Sequence, residues 1–398
     1  MGFNFPVEVV REGRVRVLVP RLDAFVEAPW EYAPSKAPVF YNPAMELARD
    51  VAVLALQVYQ RRVDAGLRVC EPLAGCGVRG VRFAVEVRGV DYVLLNDINP
   101  DAAAMCRRNV AMNHLEGRVD VESTDANALL SAYAAPGRRF DAIDVDPFGS
   151  PAPYLDSALR AVKSGGLLAL TATDMAPLCG VHPRACLRKY GGLPLRTEYC
   201  HELAVRLLLG CIARVAAIHN LGVDVALSHA TDHYVRVYCI VRRGKQNANR
   251  SMENLGYILH CFNCLNRKAT RGIATHLEEK CEDCGGKYSI SGPLWLGPIF
   301  NKDFCRETLE EVEKRDFRLK SRIRKLLSLI VMESGGPPTY HALGYLCDTL
   351  QIRIPPLRRV IEELRAMGYT ATATHFNPRG VRTDAPARVV REVVRSLA

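Results

Sequence analysis

The stretch Leu67-Arg-Val-Cys-Glu71-Pro-Leu-Ala-Gly75-Cys-Gly77-Val-Arg79-Gly80 decides the fold. Its first five residues predict a strand, the turn has the pattern GxGxxG, and a helix is predicted through Val87. Glycines let the backbone turn tightly and approach a bound ligand closely. A second predicted strand, Tyr92–Asp97, ends in an acid about where a βαβ unit places a ribose-binding carboxylate. The stretch therefore predicts a site for a nucleoside cofactor.

The acid before the glycine turn, Glu71, discriminates among such cofactors. A pyrophosphate would be repelled by a neighbouring carboxylate. S-adenosylmethionine (SAM) has no phosphate, and its cationic amino-acid end tolerates a carboxylate nearby. A third predicted strand, starting at Val119, ends in Asp125 and Ala126. Asp125 is placed to accept from an adenine amino group, and it can equally cap the helix that follows. The candidate cofactor residues on this interpretation are Glu71, Gly75, Gly77, Asp97 and Asp125.

Strands alternate with helices beyond this unit. Phe140–Asp146 and Gly165–Thr173 predict a fourth and a fifth strand, and a long apolar helix is expected over 201–219. The alternating runs 223–227 and 233–241 predict two more strands that complete the sheet as an antiparallel edge. The fold class expected for 39–243 is α/β, a Rossmann-like SAM methyltransferase domain with helices on both faces of a mostly parallel sheet.

The fourth strand presents an acid, a proline and an aromatic ring at its carboxyl end: Asp146, Pro147 and Phe148. Ligands bind at such strand ends in open α/β sheets. The motif resembles the Asp/Asn-Pro-Pro-Tyr/Phe motif of amino-nitrogen methyltransferases. A conjugated base amine is a poor nucleophile, so acceptors on its N–H groups must align it, and Phe148 offers a ring for stacking. The simpler alternative is a turn in which Asp146 only caps the next helix.

Fourteen cysteines are present, and ten of them are scattered singly as expected of small buried hydrophobes. The other four follow the pattern Cys261-x2-Cys264-x16-Cys281-x2-Cys284, which predicts a structural zinc ribbon in a reducing compartment. Four thiolates leave no open position, so a catalytic metal is not expected. The alternative is four reduced thiols without a metal.

The formal net charge of +10 favours a polyanionic partner. Residues 174–205 are rich in Arg, His and Tyr, which suits phosphate contact and stacking, or else a solvated surface loop. Near the C-terminus, three predicted helices and a strand-and-hairpin segment resemble a winged helix, a module that binds nucleic acid or, in other cases, protein. The predicted organisation is a β-hairpin segment over 1–38, the methyltransferase domain over 39–243, a polar linker, a zinc ribbon over 254–298 and a winged-helix-like domain over 299–398.

Two classes of location are not expected. No apolar run approaches the roughly 20 residues of a membrane span, and the N-terminal residues lack the apolar region of a signal peptide. We therefore expect a cytoplasmic protein with no membrane partner, and a monomer is favoured.

The chain resembles the tRNA (guanine-26, N2)-dimethyltransferases of archaea and eukaryotes over nearly its whole length. The stretches that carry the resemblance are Val39-Phe-Tyr-Asn-Pro43, Arg49-Asp50, Leu73–Gly80, Asn96-Asp97, Asp144–Ser150, Thr173-Asp174, the four-cysteine ribbon and Thr374-His-Phe-Asn-Pro-Arg-Gly380-Val-Arg-Thr-Asp384. The last stretch is informative because SAM enzymes in general lack it. It departs from the family form at Asn377, where Asp is usual.

The resemblance implies a function and roles for individual residues. The enzyme would methylate the N2 amine of guanine 26 in tRNA, giving N2-methyl- and N2,N2-dimethylguanosine. Arg49 and Arg79 would hold the cofactor carboxylate, Asp97 the ribose, and Asp125 with Ala126 the adenine. Asp146, with the carbonyl near Pro147, would hold the guanine amine, and Phe40 and Phe148 would enclose the flipped base.

Two other classes of function stay open at this point. One is a SAM-dependent amino-methyltransferase that acts on another RNA or DNA base or on protein glutamine. The other is a non-catalytic RNA-binding protein with a relic fold. The C-terminal stretch and the ribbon argue against the first, and the intact acids Glu71, Asp97, Asp125 and Asp146 argue against the second.

Overall fold

A computed structural model describes residues 3–28 and 31–398. Its largest element is a seven-stranded sheet of order β5-β4-β3-β6-β7-β9-β8. The first five strands of that order are parallel, and β9 is antiparallel to both of its neighbours. The strands are β3 (Leu67–Glu71), β4 (Val90–Asn96), β5 (Val119–Glu122), β6 (Phe140–Val145), β7 (Val162–Ala172), β8 (Leu221–Thr231) and β9 (Tyr234–Arg243). The predicted Rossmann-like sheet with an antiparallel edge is confirmed.

Helices connect and cover the strands, and several begin at the cap residues that the sequence provides. Asn42, Asn99 and Asp125 each accept a backbone N–H with their side chain at the start of a helix. The helices of this region are α1 (Glu46–Val63), α2 (Val78–Glu86), α3 (Pro100–Met112), α4 (Ala126–Ala132), α5 (Leu155–Ala161), α6 (Met175–Leu178), α7 (Pro183–Tyr190) and α8 (Cys200–Ile218). Asp125 thus takes the capping role that the sequence left open.

The N-terminal residues form the predicted hairpin, β1 (Val7–Glu12) and β2 (Val15–Pro20), around Gly13. Four positions of the predicted 1–38 segment, residues 1, 2, 29 and 30, lie outside the described residues. The hairpin packs against α2 and α3. The Asn109 side chain accepts from the Leu18 N–H at 2.6 Å and donates to the Leu18 carbonyl at 3.0 Å. These paired bonds attach the hairpin to the domain built on the seven-stranded sheet.

The polar segment after β9 is a helix, α9 (Lys245–Glu253), and the linker prediction for it was wrong. Ala248 and Ser251 are buried on one side of this helix. The Ser251 hydroxyl accepts the backbone N–H of Val223 at 2.9 Å, and Gly222 provides the space for close contact with Asn247. Two small residues make this face, so the sequence carries no apolar period that would reveal it.

A three-stranded sheet of order β11-β10-β12 carries the four-cysteine pattern. Its strands are β10 (Leu255–His260), β11 (Arg267–Arg271) and β12 (Ser289–Trp295). Strand β12 packs directly on α8, where a Cβ at Gly210 would lie 3.0 Å from the Leu294 Cα. The segment therefore packs against the long helix of the domain built on the seven-stranded sheet.

The C-terminal part has a small hydrophobic core of its own, which includes Leu343, Val360 and Val390. Its sheet has the order β13-β15-β14. Its elements are α10 (Lys302–Glu313), α11 (Lys320–Glu333), β13 (His341–Ala342), α12 (Leu343–Leu350), α13 (Leu357–Ala366), β14 (Ala371–Ala373), β15 (Gly380–Thr383) and α14 (Ala387–Leu397). Helix α14, which the sequence analysis did not predict, covers this core with four valines.

A buried ion cluster joins the C-terminal part to α8. Arg382 donates to Glu202 at 2.7 Å and to Glu333 at 2.9 Å. Glu333 also accepts from the buried His375 ring, at 2.5 Å, and from the Thr374 hydroxyl. We call these five residues the interdomain ion cluster.

Among the described residues, no helix combines the length and apolar character that crossing a membrane requires.

Candidate functional site

A cavity of about 970 Å³ opens at the carboxyl ends of β3, β4 and β6. This is the edge of an α/β sheet at which ligands bind, and the volume lies in the usual range for ligand sites, roughly 300–1,000 Å³. One part of its wall comes from the glycine loop and the end of β4, and another from the Asp146 motif. The residues that line these two parts are Leu73, Gly75, Asp97, Ile98, Asn99, Asp146, Pro147 and Phe148. Ala102 of α3 lies beside them, and the segment 32–45, which includes Phe40, lines a further part.

The glycine loop is fixed by Asp97. One carboxylate oxygen of Asp97 accepts the Gly75 N–H at 2.8 Å, and the other accepts the Asn99 N–H at 3.0 Å. Gly75 has a φ of +54°, and a Cβ there would lie 2.9 Å from the Phe40 carbonyl oxygen. Only glycine fits this conformation and this spacing. The loop backbone is therefore exposed to the cavity beside the predicted ribose-binding acid.

Asp146 is held by charged groups beneath the cavity floor. The Arg79 guanidinium donates to Asp146 and, at 2.5 Å, to Asp144. Arg236, which is fully buried, donates to Asp144 and, at 2.5 Å, to the Thr171 hydroxyl. Since the Asp146 side chain is 19% exposed, it is both fixed and reachable from the cavity.

These contacts set the ionisation of the two acids at the site. Burial alone would raise the pKa of the Asp146 carboxyl, but the guanidiniums of Arg79 and Arg236 outweigh it and the pKa is lowered. The pKa of Glu71 is raised to about 8, chiefly by burial and also by Asp144 and Asp146, against the opposing effect of Arg79. Asp146 is therefore an ionised acceptor at neutral pH, whereas much of Glu71 is protonated.

The rings of Phe40 and Phe148 meet over this floor. Their centroids are 4.2 Å apart and their planes are inclined by 74°. Phe148 is 66% exposed, and Gly149 after it has a φ of +76° with no atom near its Cβ direction. The two residues that the family resemblance paired are thus brought together from segments about a hundred residues apart.

Other residues predicted for the cofactor lie next to the cavity without lining it. Glu71 accepts the Gly80 N–H at 2.9 Å beneath the glycine loop. Arg49 is bound to both carboxylate oxygens of Glu12, at 2.6 and 2.5 Å, and to the Asn42 carbonyl at 3.1 Å. Asp125 accepts the Ala128 N–H at 2.9 Å as a helix cap, and Ala126 is buried. The Arg49 guanidinium, like that of Arg79, is thus bound to carboxylates of the chain.

The far wall of the cavity was not predicted from the sequence. It comes from the turn between β8 and β9, from the turn before α11 and from the first residues of α11, and its residues include Asp232, His233, Tyr234, Arg318 and Arg322. The signal that could have indicated it is the cluster of basic residues over 314–325, which lies within the segment predicted to be winged-helix-like. The roles of Asp144 and Arg236 in supporting Asp146 were also not predicted. Asp144 lies on β6, two residues before Asp146, so the alternation of the strand places the two side chains on the same side.

The four cysteines of the ribbon pattern converge. Their Sγ atoms all lie within 4.8 Å of one another, as four ligands of one metal ion must. Cys261 and Cys284 are 3.5 Å apart, and Cys264 and Cys281 are 3.4 Å apart. The donor set fits a tetrahedral zinc ion.

A second group joins Cys179, Cys200 and His201, whose ligating atoms also lie within 4.8 Å of one another. The sequence analysis treated Cys179 and Cys200 as buried hydrophobes, and that prediction was wrong because both are only partly buried. The other eight scattered cysteines are buried as expected. The two partly buried thiols meet because the end of α6 lies against the start of α8.

Comparison with known proteins adds an independent observation. A family model described as N2,N2-dimethylguanosine tRNA methyltransferase matches residues 13–395. A Methanothermobacter thermautotrophicus protein named tRNA (guanine(26)-N(2))-dimethyltransferase is 41% identical over 388 residues, 98% of each chain. A protein of the same name from Methanosphaera stadtmanae is 39% identical over 386 residues, 97% of this chain and 96% of its own.

A solved structure has the same architecture. It is the complex of Trm1 from Pyrococcus horikoshii with S-adenosyl-L-methionine. The two chains superpose with a TM-score of 0.85 at 36% identity, over 97% of this chain and 99% of the other. The similarity therefore extends from the N-terminal hairpin to the C-terminal helices.

Proposed function

The chain belongs to the N2,N2-dimethylguanosine tRNA methyltransferase family, and from that premise we propose which of its residues carry out the reaction. The enzyme uses SAM to methylate the N2 amine of guanine 26 in tRNA. We assign the holding of that amine to Asp146. The observation that carries this assignment is a partly exposed, ionised carboxylate on the cavity floor, with two phenylalanine rings directly above it.

The cofactor fits the part of the cavity next to β4. When bound, SAM supplies an electrophilic methyl group. The Asp97 carboxylate and the backbone of the glycine loop line this part. Its lining residues from the glycine loop and the end of β4, namely Leu73, Gly75, Asp97, Ile98 and Asn99, include no lysine or arginine that would hold a phosphate. This donor set suits a ribose and a cationic amino-acid group. The assignments of Arg49, Arg79, Glu71, Asp125 and Ala126 to the cofactor site remain proposals from the family motifs.

Asp146 is suited to orienting the substrate amine. The N2 amine of guanine is conjugated with the ring, so its lone pair attacks only when acceptors align its N–H groups. An ionised carboxylate is a strong acceptor of such N–H groups, and the carbonyl near Pro147 is a second. Because Arg79 and Arg236 lower the Asp146 pKa, this carboxylate is a weak base. We therefore propose that Asp146 positions the amine. We do not assign it the role of a general base that accepts the proton released when the amine is methylated.

Phe40 and Phe148 enclose the guanine in this proposal. In the structure the two rings are in contact, so the base enters only if they separate. Phe148 is free to move because it is exposed and Gly149 follows it. Base–aromatic stacking contributes about 1–3 kcal/mol per base, which offsets part of the cost of flipping guanine out of the tRNA stack.

The remaining parts receive supporting roles in the proposal. The four cysteines hold a structural zinc ion in a ribbon, and the C-terminal module is a winged-helix-like tRNA-binding unit. The enzyme acts as a monomer, which is supported by the fact that α11 of the same chain completes the cavity wall. A cytoplasmic location is supported by the tRNA substrate and by fourteen unpaired cysteines.

The deciding experiment is nucleoside analysis of tRNA transcripts after incubation with enzyme and SAM. We expect N2-methylguanosine first and N2,N2-dimethylguanosine later, both at position 26. A transcript with adenosine at that position serves as the control and should stay unmodified. Absence of both products from the guanosine transcript would contradict the function.

A further inference from the structure

A second cavity continues the substrate cavity along α11. It has a volume of about 390 Å³. Asp232, Tyr234 and Arg322 line both cavities, so the two meet at the turn between β8 and β9. We call the second cavity the α11 groove. Its further lining residues include Met175, His201, Lys325, Leu326, Leu329 and Phe376.

Part of the α11 groove wall is apolar, and two cations lie at its rim. Met175, Leu326 and Leu329 are half-buried, so part of each apolar side chain faces the open space. Lys325 is exposed and forms no ion pair within the described residues. Arg322 pairs with Asp232 at 2.5 Å, but both side chains are more than 40% exposed, and such surface pairs are weak. Both cations are therefore available to an anionic partner.

The spacing of these cations follows the path from one cavity to the other. Arg318 and Arg322 line the substrate cavity, and Arg322 and Lys325 line the α11 groove. Arg322 and Lys325 are three residues apart on α11 and so lie on the same face of the helix, whereas Arg318 precedes the helix and is paired with Glu46 at 3.0 Å. Arg322 and Lys325 therefore follow the path from the substrate cavity into the groove, as successive phosphate contacts would.

From this continuity and charge we propose that the α11 groove binds the nucleotide adjacent to guanine 26 in the same tRNA strand. Its phosphate contacts Arg322 and Lys325, and its base lies against Met175, Leu326 and Leu329. Phosphate contacts of Arg and Lys position a nucleic acid strand without reading its sequence. The groove would thus fix the strand on one side of the flipped guanine. This inference rests on the proposed function of the substrate cavity.

The first test measures the affinity for a tRNA transcript as a function of salt concentration. We expect Lys325→Ala to weaken binding about three- to tenfold and to reduce the slope of log Kd against log salt by about one. Arg324→Ala is the matched control because Arg324 is on the same helix, is paired with Glu313 and lines neither cavity. Equal losses in the two variants would overturn the proposal, as would unchanged binding by Lys325→Ala.

The second test locates the nucleotide. Transcripts that carry a single 4-thiouridine immediately 5′ or 3′ of guanine 26 are cross-linked to the wild-type enzyme, and the modified peptide is identified by mass spectrometry. We expect one of the two transcripts to label the peptide with Met175 or the one with Leu326 and Leu329. Labelling only at other peptides overturns the proposal.

The same wild-type preparation is assayed for N2-methylated guanosine. Product formation together with unaltered binding by Lys325→Ala would refute the groove and leave the proposed function intact. Absence of product together with cross-links to the groove peptides would refute the proposed function and leave binding of the tRNA strand in the groove supported.

Discussion

The edge of one phenylalanine ring meets the face of another above the proposed methyl-acceptor site: Phe40 and Phe148 have centroids 4.2 Å apart and planes inclined by 74°. Stacked aromatic planes need more room than this for a base between them. Binding of the flipped guanine therefore requires one ring to move, and the exposed Phe148 is the one with the space to do so.

We expect Phe148→Ala to lower kcat/KM for tRNA roughly 5- to 150-fold, because removing the ring removes a base-stacking interaction of about 1–3 kcal/mol. SAM affinity, measured by calorimetry, should change less than twofold. Phe262→Ala is a suitable control because Phe262 is also an exposed phenylalanine, at 43%, but lies in the four-cysteine segment. A loss of SAM affinity as large as the loss of activity would contradict a role in base stacking.

Asp146→Ala should abolish methyl transfer to tRNA while SAM binding survives. The side chain is proposed to hold the amine in position for attack, and a misplacement of a reacting group by about 1 Å can cost about 10²-fold in rate. Single-turnover transfer of labelled methyl groups and calorimetry measure the two quantities separately. Asp156→Asn, at a surface aspartate, should leave both unchanged. Parallel losses of transfer and SAM affinity would instead place Asp146 in the cofactor site.

The raised pKa of Glu71 leads us to expect that the free energy of unfolding depends on pH. Its pKa is raised from 4.5 to about 8 in the folded chain. Between these two pH values the unfolded state loses a proton that the folded state keeps, so this residue makes the folded state less stable as the pH rises. We expect Glu71→Gln, which keeps an acceptor for the Gly80 N–H, to gain stability relative to wild type from pH 5 to pH 8. Urea unfolding at each pH measures the gain, and parallel curves would refute it.

The interdomain ion cluster predicts a large effect of Arg382. Its replacement by Met leaves Glu202 and Glu333 buried without their shared partner, and breaking a buried pair typically costs about 3–5 kcal/mol. We expect a lower unfolding temperature for the variant in scanning calorimetry. Arg358→Ala, which removes only an exposed pair with Glu362, should change stability by less than about 0.5 kcal/mol. Equal effects would contradict the prediction.

Metal analysis tests the zinc proposal. The purified enzyme should contain one zinc ion per chain, bound by the four converging thiolates. Cys281→Ser should remove it and lower the unfolding temperature. Cys200→Ser, at one of the two partly buried thiols outside the pattern, is the matched control and should retain it. Retention of zinc by Cys281→Ser would place the metal elsewhere.

Much of the sheet and of the site floor could be predicted because their signals are local. The glycine pattern of 75–80 and the apolar run before Asp146 are each read within one βα unit. The far cavity wall could not be predicted in this way, because Arg318 and Tyr234 meet only through tertiary packing. Helix α9 was missed for a related reason: its contact face consists of small residues matched to Gly222.

The ion pairs that the two arginines form within the chain could not be predicted, for another physical reason. Sequence motifs indicate that Arg49 and Arg79 belong to the site, but not which anion each one meets. In the structure Glu12 of the hairpin binds Arg49, and Asp144 and Asp146 bind Arg79. Partner choice among several nearby carboxylates depends on three-dimensional distances that no sequence spacing encodes.

The contribution of α11 to the catalytic cavity has an evolutionary consequence. Arg318 and Arg322 come from the C-terminal third of the chain, yet they line the same cavity as Asp146. Recombination that exchanged this third for an unrelated module would also remove part of the cavity wall. The two parts of the chain therefore cannot be exchanged independently of each other without rebuilding that wall.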